Sequence, residues 1–305
     1  MKTLVFGNGQ LANFVPKYFG SPVVITSVDI TSPKEVRSAI VANKPDVVIN
    51  TAAKTSIDWC EQNKVAAFEV NTLGAYSVWE ACRERGIFMV HFSSGCIYHS
   101  RIYDEIYKEN DKPSPRCYYS WTKVWADNLL GKDPNLLILR PRVIISSRVS
   151  NRNTLAKWMV YSHFIKDQNS VTIIEDMMPI LKKMVDKRIS GVFNIVNKGT
   201  ISPLEVAKML KESVNENMDI QETTLDEVNK NLVAKRCSTV LDTTALEMVG
   251  FEMPPIKEAI RFTIEMFKMN LKEGGGLSAL DAIRDETRKK YMIIQKKPTT
   301  YLGRN

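Results

Sequence analysis

Tyr119 and Lys123 stand four residues apart in Tyr119-Ser120-Trp121-Thr122-Lys123. On a helix this spacing puts the phenol and the ammonium on one face, one turn apart. A cation there favours the phenolate, and a phenol whose pKa falls from about 10 exchanges a proton near neutrality. Upstream, His91-Phe92-Ser93-Ser94-Gly95-Cys96-Ile97-Tyr98 follows an apolar run at residues 86–90. That run reads as a buried parallel strand, so the hydroxyls and the thiol emerge at its carboxyl end, where open α/β sheets bind ligands. A serine, a tyrosine and a lysine placed together polarise a ketone and protonate its oxygen as hydride arrives. Each signal alone has a plainer reading: Ser-Ser at a strand end makes a turn, and Tyr and Lys at this spacing recur on many helices. Their order along the chain carries the argument.

The elements that must position them begin at the first residue. Lys2-Thr3-Leu4-Val5-Phe6 reads as a strand and runs into Gly7-Asn8-Gly9-Gln10-Leu11-Ala12. Strand, G-x-G-x-x-A and helix is the arrangement in which glycines let the backbone approach a pyrophosphate seated on a helix N-terminus. Pro16 limits that helix to a short or kinked one. Val23-Val24-Ile25 reads as a second strand. Ser27 falls near the place where an acidic residue would hold the ribose of NAD, and Asp29 follows where it could approach the adenine, which leaves NAD against NADP open. Ser32-Pro33-Lys34-Glu35 supplies an N-cap, an N1 proline and a capping-box glutamate for a helix to about Asn43. Residues 45–50 form the next buried strand, ending in Thr51-Ala52-Ala53, small enough to leave room for a cofactor. A helix at 64–85, interrupted near 71–74, leads into the strand before Ser93.

This alternation predicts an α/β, Rossmann-type, doubly wound parallel sheet. After residues 136–139 the pattern loosens into capped helices, at Ser202-Pro203-Leu204-Glu205 and Pro254-Pro255, mixed with short strands such as 192–195. We expect a dinucleotide-binding domain at 1–145, a smaller C-terminal substrate-binding lobe at 146–270 and a basic tail at 271–305.

Composition narrows the classes. At 305 residues, 44% hydrophobic and 25% charged, the chain suits a globular protein able to bury one large core or two smaller ones. No apolar run approaches the length of a membrane span and no signal-peptide pattern opens the chain, so a cytoplasmic protein without a membrane partner is expected. Cys60, Cys82, Cys96, Cys117 and Cys237 are scattered, with no C-x-x-C pair, and His91, His99 and His163 show no ligand spacing. Reduced thiols and no metal site are expected. Of the net charge of +8, residues 272–305 hold +4: eight Lys and Arg against Glu273, Asp281, Asp285 and Glu286. The excess therefore sits in an appendage that opens with Gly274-Gly275-Gly276 and offers a helix at about 278–291. A solvated or subunit-docking tail is expected rather than a nucleic-acid arm.

The order G-x-G-x-x-A, Asp29-Ile30, Asn50-Thr51-Ala52-Ala53, Ile57-Asp58-Trp59-Cys60-Glu61, Val70-Asn71, Ser94 and Tyr119-x-x-x-Lys123 resembles the extended short-chain dehydrogenase/reductases that act on nucleotide sugars. Leu241-Asp242-Thr243-Thr244-Ala245-Leu246 and Gly250-Phe251 resemble the dTDP-4-dehydrorhamnose reductase branch. Within it, Asp58-Trp59-Cys60-Glu61, Gly95-Cys96-Ile97, Ile145-Ser146-Ser147 and Lys157 resemble the bifunctional 3,5-epimerase/4-reductases of nucleotide-rhamnose synthesis. The likeness spans roughly residues 1–270. The glycine motif is one residue shorter than the family's GxxGxxG, and the basic tail has no counterpart.

The resemblance implies roles. Ser94 would bond the sugar keto oxygen, Tyr119 would donate the proton, and Lys123 would hold the nicotinamide ribose and lower the tyrosine pKa. Cofactor binding would fall to Gly7, Asn8, Gly9, Gln10, Leu11, Asp29, Ile30, Ala52, Ala53, Lys54 and Asn71 with Tyr119 and Lys123. Arg142 and Asn153 would meet substrate; Arg140 and Arg142 could reach its diphosphate or pair with a carboxylate. Cys96 would be the acid/base of epimerisation, paired with Lys157. Protons beside a ketone are acidified, and a thiol of reference pKa about 8.5 can remove them. The plain readings are a small buried thiol for Cys96 and a solvated lysine for Lys157. The implied activity is conversion of a UDP- or dTDP-linked 4-keto-6-deoxyglucose to nucleotide-L-rhamnose with NADPH, NADH remaining open, in a homodimer. The alternatives are a 4-ketosugar reductase without epimerase activity and a non-catalytic nucleotide-binding regulatory subunit.

Overall fold

The computed structural model describes residues 1–20, 22–100, 105–230 and 232–285. Its centre is a six-stranded parallel sheet of β1 (Thr3–Phe6), β2 (Val23–Thr26), β3 (Val47–Asn50), β4 (Phe88–Phe92), β5 (Leu136–Arg140) and β6 (Gly191–Asn194), in the order β6-β5-β4-β3-β1-β2. The residues of the four inner strands, β1, β3, β4 and β5, are buried on both faces, and their alternation sorts them into two cores. Val5, Val47, Ile49, Phe88, Val90, Leu137 and Leu139 join one core with α1 (Val15–Phe19). Leu4, Phe6, Val48, Met89, Leu136 and Ile138 join the other, with α2 (Pro33–Asn43) and α3 (Ala75–Arg83). Side chains on a strand point to opposite faces in turn, so two apolar faces demand helices on both sides. The expected doubly wound sheet is the fold found.

Local signals set several boundaries. The Ser32 hydroxyl accepts from the Glu35 amide and starts α2 at Pro33. Pro16, at the start of α1, leaves that helix five residues long after a three-residue 3₁₀ turn, Ala12–Phe14. The interruption expected near 71–74 is a π-helical turn, Glu69–Gly74, between Lys64–Phe68 and α3. A widened turn of this kind inserts a residue and often marks a functional site.

The chain then builds α4 (Tyr118–Leu130) against β4, and beyond β5 it forms a lobe with a core of its own. Leu155, Trp158, Phe164, Ile201, Leu210 and Phe267 belong to that core. One strand expected in the lobe lies elsewhere: β6 is the sixth strand of the main sheet, following α5 (Ile174–Asp186). Phe193 faces the α1 core and Val192 packs against the other, so this short segment has the two-faced burial of an interior strand rather than a lobe hairpin. The chain returns to the lobe through α6 (Pro203–Ser213), opened by the reciprocal Ser202 and Glu205 capping box, and α7 (Ile256–Glu273). The tail after α7 turns back: Leu280 and Ile283 are buried in the lobe core. The expected helix at 278–291 begins as a 3₁₀ turn, Gly276–Leu280, and its part beyond residue 285 lies outside the described residues. No described helix is long and apolar enough to cross a membrane.

Candidate active site

β1 and β3 are neighbours, and the chain leaves them toward opposite edges of the sheet. That reversal opens a crevice at the strands' carboxyl ends. Gly7, at φ +99°, packs so tightly on the loop after β3 that a Cβ there would meet the Ala52 nitrogen at 2.8 Å, whereas a Cβ on Gly9 would meet nothing within 4 Å. One glycine closes the turn and the other leaves backbone open, as a pyrophosphate cradle requires. Leu11 packs on the core, while Gln10 Nε2 donates to Ser146 Oγ at 3.1 Å. The lobe loop lies over this turn: Arg152 Nη1 donates to the Asn8 carbonyl at 2.6 Å, and the Arg148 guanidinium sits 3.9 Å from the Phe14 ring centroid. Neither arginine was singled out by sequence, since both stand in a loop whose contact partner is more than a hundred residues away. Asp29 accepts from the Thr31 amide and hydroxyl, which hold its carboxyl below its ordinary range. Ile30 is buried in the core beneath it.

Asn71, inside the π turn, has a buried amide that is fully committed. Its Oδ1 accepts from the Lys54 amide at 2.7 Å, and its Nδ2 donates to the Lys54 carbonyl and to Thr122 Oγ1, each at 3.0 Å. It therefore clamps the Ala52-Ala53-Lys54 loop to α4. Sequence placed it at the cofactor; the structure gives it that loop to hold.

At the end of β4, the turn Ser93-Ser94-Gly95-Cys96 meets one face of α4. Ser94 Oγ accepts from the Cys96 amide at 3.1 Å, and its hydroxyl lies near enough to the Tyr119 phenol to lower the phenol's pKa. One turn on, Lys123 Nζ donates to the Phe92 carbonyl at 2.8 Å, and one turn further Asp127 Oδ2 accepts from Ser93 Oγ at 2.9 Å. Ser94, Tyr119 and Lys123 thus converge as their spacing predicts. The expected lowering of the tyrosine pKa is not found. Burial pushes the Tyr119 phenol up, the nearby Cys96 adds to the rise, and the Ser94 hydroxyl opposes it. Burial also pulls Lys123 down to about 8, against the attraction of Asp127. Withdrawal of the phenol from water therefore dominates.

Cys96 is half-buried on the same turn. Gly95 makes that turn possible, because a Cβ there would stand 2.6 Å from the Leu241 side chain. Arg142 Nη1 donates to Cys96 Sγ at 2.8 Å, Nε donates to Asn169 Oδ1 at 3.1 Å, and Nη2 donates to the Cys237 carbonyl. The neighbouring Cys237, then the charge of Arg142 and the Ser94 hydroxyl, hold the Cys96 thiol well below its ordinary pKa, against the opposing effect of burial. Cys237 was not singled out by sequence: it lies in a loop 141 residues away with no motif around it. Lys157 lies half-buried on the short helix Thr154–Trp158, and the cation hydrogen-bonded to Cys96 is Arg142.

Two expected substrate contacts are used internally. Arg140 donates to Asp127, Tyr98 Oη and the Glu109 carbonyl, a buried ion pair rather than a diphosphate ligand. Asn153 donates to the Ser146 and Arg148 carbonyls and accepts from the Ser146 and Leu155 amides, which saturates its amide and fixes the lobe loop. His91 is a buried strand residue with Nδ1 against the Asn50 amide at 3.4 Å. Among the described residues no group of His, Cys, Asp or Glu could hold a metal ion.

Comparison with known proteins accords with this geometry. Residues 1–269 match the family model described as RmlD substrate binding domain. The chain is 33% identical over 244 residues to a bifunctional dTDP-4-dehydrorhamnose 3,5-epimerase/dTDP-4-dehydrorhamnose reductase of Arabidopsis thaliana, covering 75% of this chain and 81% of that protein. It is 32% identical over 230 residues to an Arabidopsis thaliana trifunctional UDP-glucose 4,6-dehydratase/UDP-4-keto-6-deoxy-D-glucose 3,5-epimerase/UDP-4-keto-L-rhamnose-reductase, covering 71% of this chain but only 34% of that longer protein. Among solved structures, the UDP-rhamnose synthase of Acanthamoeba polyphaga mimivirus superposes with a TM-score of 0.81 at 27% identity, covering 87% of this chain and 99% of the other.

Proposed function

From the premise that this chain belongs to the RmlD family of nucleotide-sugar reductase/epimerase proteins, we propose that it is an NADPH-dependent 3,5-epimerase/4-reductase. Its substrate is a UDP- or dTDP-linked 4-keto-6-deoxyglucose and its product nucleotide-L-rhamnose. The observation that carries the reading is the turn at the end of β4, which puts the Cys96 thiol, bonded by Arg142, and the Ser94 hydroxyl at one site beside Tyr119. A reductase needs only Ser94, Tyr119 and Lys123; an acidified thiol beside them adds the means to move protons on carbon.

The Cys96 sulfur removes the proton from a carbon flanking the ketone, and the Ser94 hydroxyl stabilises the oxygen on which negative charge develops. Inversion needs return of a proton on the opposite face, for which Lys157 is the second group. The turn closed by Gly7, with the open backbone at Gly9, would hold a nicotinamide cofactor, which when bound would supply the hydride for C4. Tyr119 gives its proton to the C4 oxygen. Its raised pKa keeps that proton in place until the oxygen becomes basic. Lys123, fixed on the Phe92 carbonyl, sets the distance of α4 from the strand end. Ser27, just past β2, stands where an acidic residue would repel a ribose phosphate, which supports NADPH.

Incubation with NADPH and either nucleotide-linked 4-keto-6-deoxyglucose in deuterated water tests this. Cofactor oxidation with deuterium at C3 and C5 of a rhamnosyl product is the expected result. Oxidation without the label would leave a reductase alone, and absence of oxidation with both nucleotides would overturn the reading.

A further inference from the structure

We propose that Asn169 is a positioning residue for the epimerisation step: its amide oxygen aims the Arg142 guanidinium at the Cys96 sulfur. Arg142 stands just past β5 and is buried, 7% exposed. Arg140 and Arg236 each have an aspartate, Asp127 and Asp58, whereas among the described residues Arg142 pairs with no carboxylate. A buried cation needs acceptors around its rim, and Arg142 finds them on three separate stretches of chain. Nη1 donates to Cys96 Sγ at 2.8 Å, Nε donates to Asn169 Oδ1 at 3.1 Å, and Nη2 donates to the Cys237 carbonyl.

The chain is bent to deliver this side chain. Val143, the next residue, has φ 39°, a left-handed conformation that a β-branched residue rarely adopts. Such a conformation persists only where its surroundings hold it. Thr172 does so: its Oγ1 accepts from the Arg142 amide at 3.0 Å, and its own amide donates to the Arg142 carbonyl at 2.7 Å. The Arg142 stem then lies against Gly95, where a Cβ would stand 3.4 Å from the Arg142 Cβ. Thr172 thus fixes where Arg142 leaves the backbone, and Asn169, three residues earlier, fixes where its head points.

Asn169 Oδ1 also accepts from the Thr239 amide at 3.0 Å. Both neighbours are donors, so the side-chain amide faces them with its oxygen. Thr239 Oγ1 donates to the Tyr98 carbonyl at 2.9 Å, and the Thr239 carbonyl accepts from the Ser170 amide at 2.9 Å. The stretches holding Asn169, Cys237 and the Cys96 turn are therefore laced together. A rigid planar fork held at Nε and Nη2 has one direction left for Nη1, and that direction is Cys96. Ser94 and Lys123 have bonds of their own, to the Cys96 amide and the Phe92 carbonyl. Loss of the Asn169 oxygen should therefore separate epimerisation from reduction.

That Cys96 moves a proton on carbon rests on the proposed function; that Asn169 aims Arg142 at its sulfur does not. The full chain is compared as wild type and as Asn169→Leu, which has similar bulk and no acceptor. Deuterium uptake at C3 and C5 of the nucleotide-linked 4-keto-6-deoxyglucose should fall about 10- to 100-fold, the scale of a reacting group misplaced by roughly an ångström. Reduction of the already epimerised nucleotide-linked 4-keto-L-rhamnose by NADPH should stay within about twofold. Without substrate, alkylation of Cys96 by iodoacetamide, read by mass spectrometry of its peptide, should slow about fivefold or more as the sulfur loses its fixed cation. Unchanged deuterium uptake or unchanged alkylation would overturn the proposal. Uptake and reduction falling in step would overturn it too, because that marks a merely structural residue. Should the wild type take up no deuterium, the epimerase reading falls and alkylation alone decides: a slower Cys96 in the variant upholds the aim of Arg142, and an unchanged one rejects it. Should the leucine variant not fold, Asn169→Ala carries the same expectations with a smaller loss, retained reduction being the proof that it folds.

Discussion

Replacing Lys123 with methionine should make the protein relatively more stable near neutral pH and relatively less so as pH rises. The ammonium is buried, 2% exposed, and burial moves its pKa from 10.5 to about 8. That difference corresponds to a penalty of about 3 kcal/mol for holding the charge in the folded state at pH 7. The unfolded chain keeps the proton up to 10.5, whereas the folded chain releases it near 8, so Lys123 makes stability rise with pH across that window. Below it, the full penalty is present. Methionine fills the same space without charge but leaves the Phe92 carbonyl without its donor, a loss of about 1–3 kcal/mol. That second contribution does not vary with pH. The difference in unfolding free energy between variant and wild type should therefore shift by roughly 2–3 kcal/mol against the variant from pH 7 to pH 10. Urea unfolding followed by tryptophan fluorescence at several pH values measures it. A difference that stays flat would refute the reasoning and mean that the lysine carries its charge without penalty.

Three further perturbations test the supports of the site. Asn71→Ala removes three hydrogen bonds, among them the buried one to Thr122 Oγ1, and leaves the Lys54 amide without its side-chain acceptor; a loss of about 1–3 kcal/mol in thermal unfolding and weaker NADPH binding by fluorescence titration are expected. Gly7→Ala demands φ +99° of a residue with a Cβ and drives that atom to 2.8 Å from the Ala52 nitrogen, so NADPH affinity should fall about tenfold or more. Arg140→Met leaves Asp127 buried and unpaired, with an expected loss of about 3–5 kcal/mol in chemical denaturation, most of it recovered by adding Asp127→Leu.

What was legible in the sequence was what neighbouring residues decide. Ser32 with Glu35 and Ser202 with Glu205 declare helix starts because cap and amide lie three residues apart. Tyr119 and Lys123 share a face for the same local reason. The parallel sheet follows from two-sided apolar strands, although β6, four residues long, gave too little pattern to be assigned to it. Contacts across long separations were hidden. Nothing near Cys237 announces that its partner is Cys96, nor does anything near Arg140 announce Asp127. The rise of the Tyr119 pKa was hidden too, because spacing reveals the nearby cation but not the loss of water around the ring.

Buried polar and charged groups fix the site's register. Tyr119, Lys123 and Asp127 form one stripe of α4, each facing a different neighbour: Ser94, the Phe92 carbonyl, and Ser93 with Arg140. A slide of α4 by one turn, about 5.4 Å, would exchange all of these neighbours at once. A slide in one direction would bring Lys123 to the place where Asp127 meets Arg140, setting two buried cations together and leaving Asp127 unpaired. A slide in the other would bring Asp127 to the Phe92 carbonyl, with two acceptors facing and no donor between them. The buried ion pair far from the reacting carbon thus fixes where Tyr119 stands relative to Ser94, and breaking it should disturb hydride transfer as well as stability.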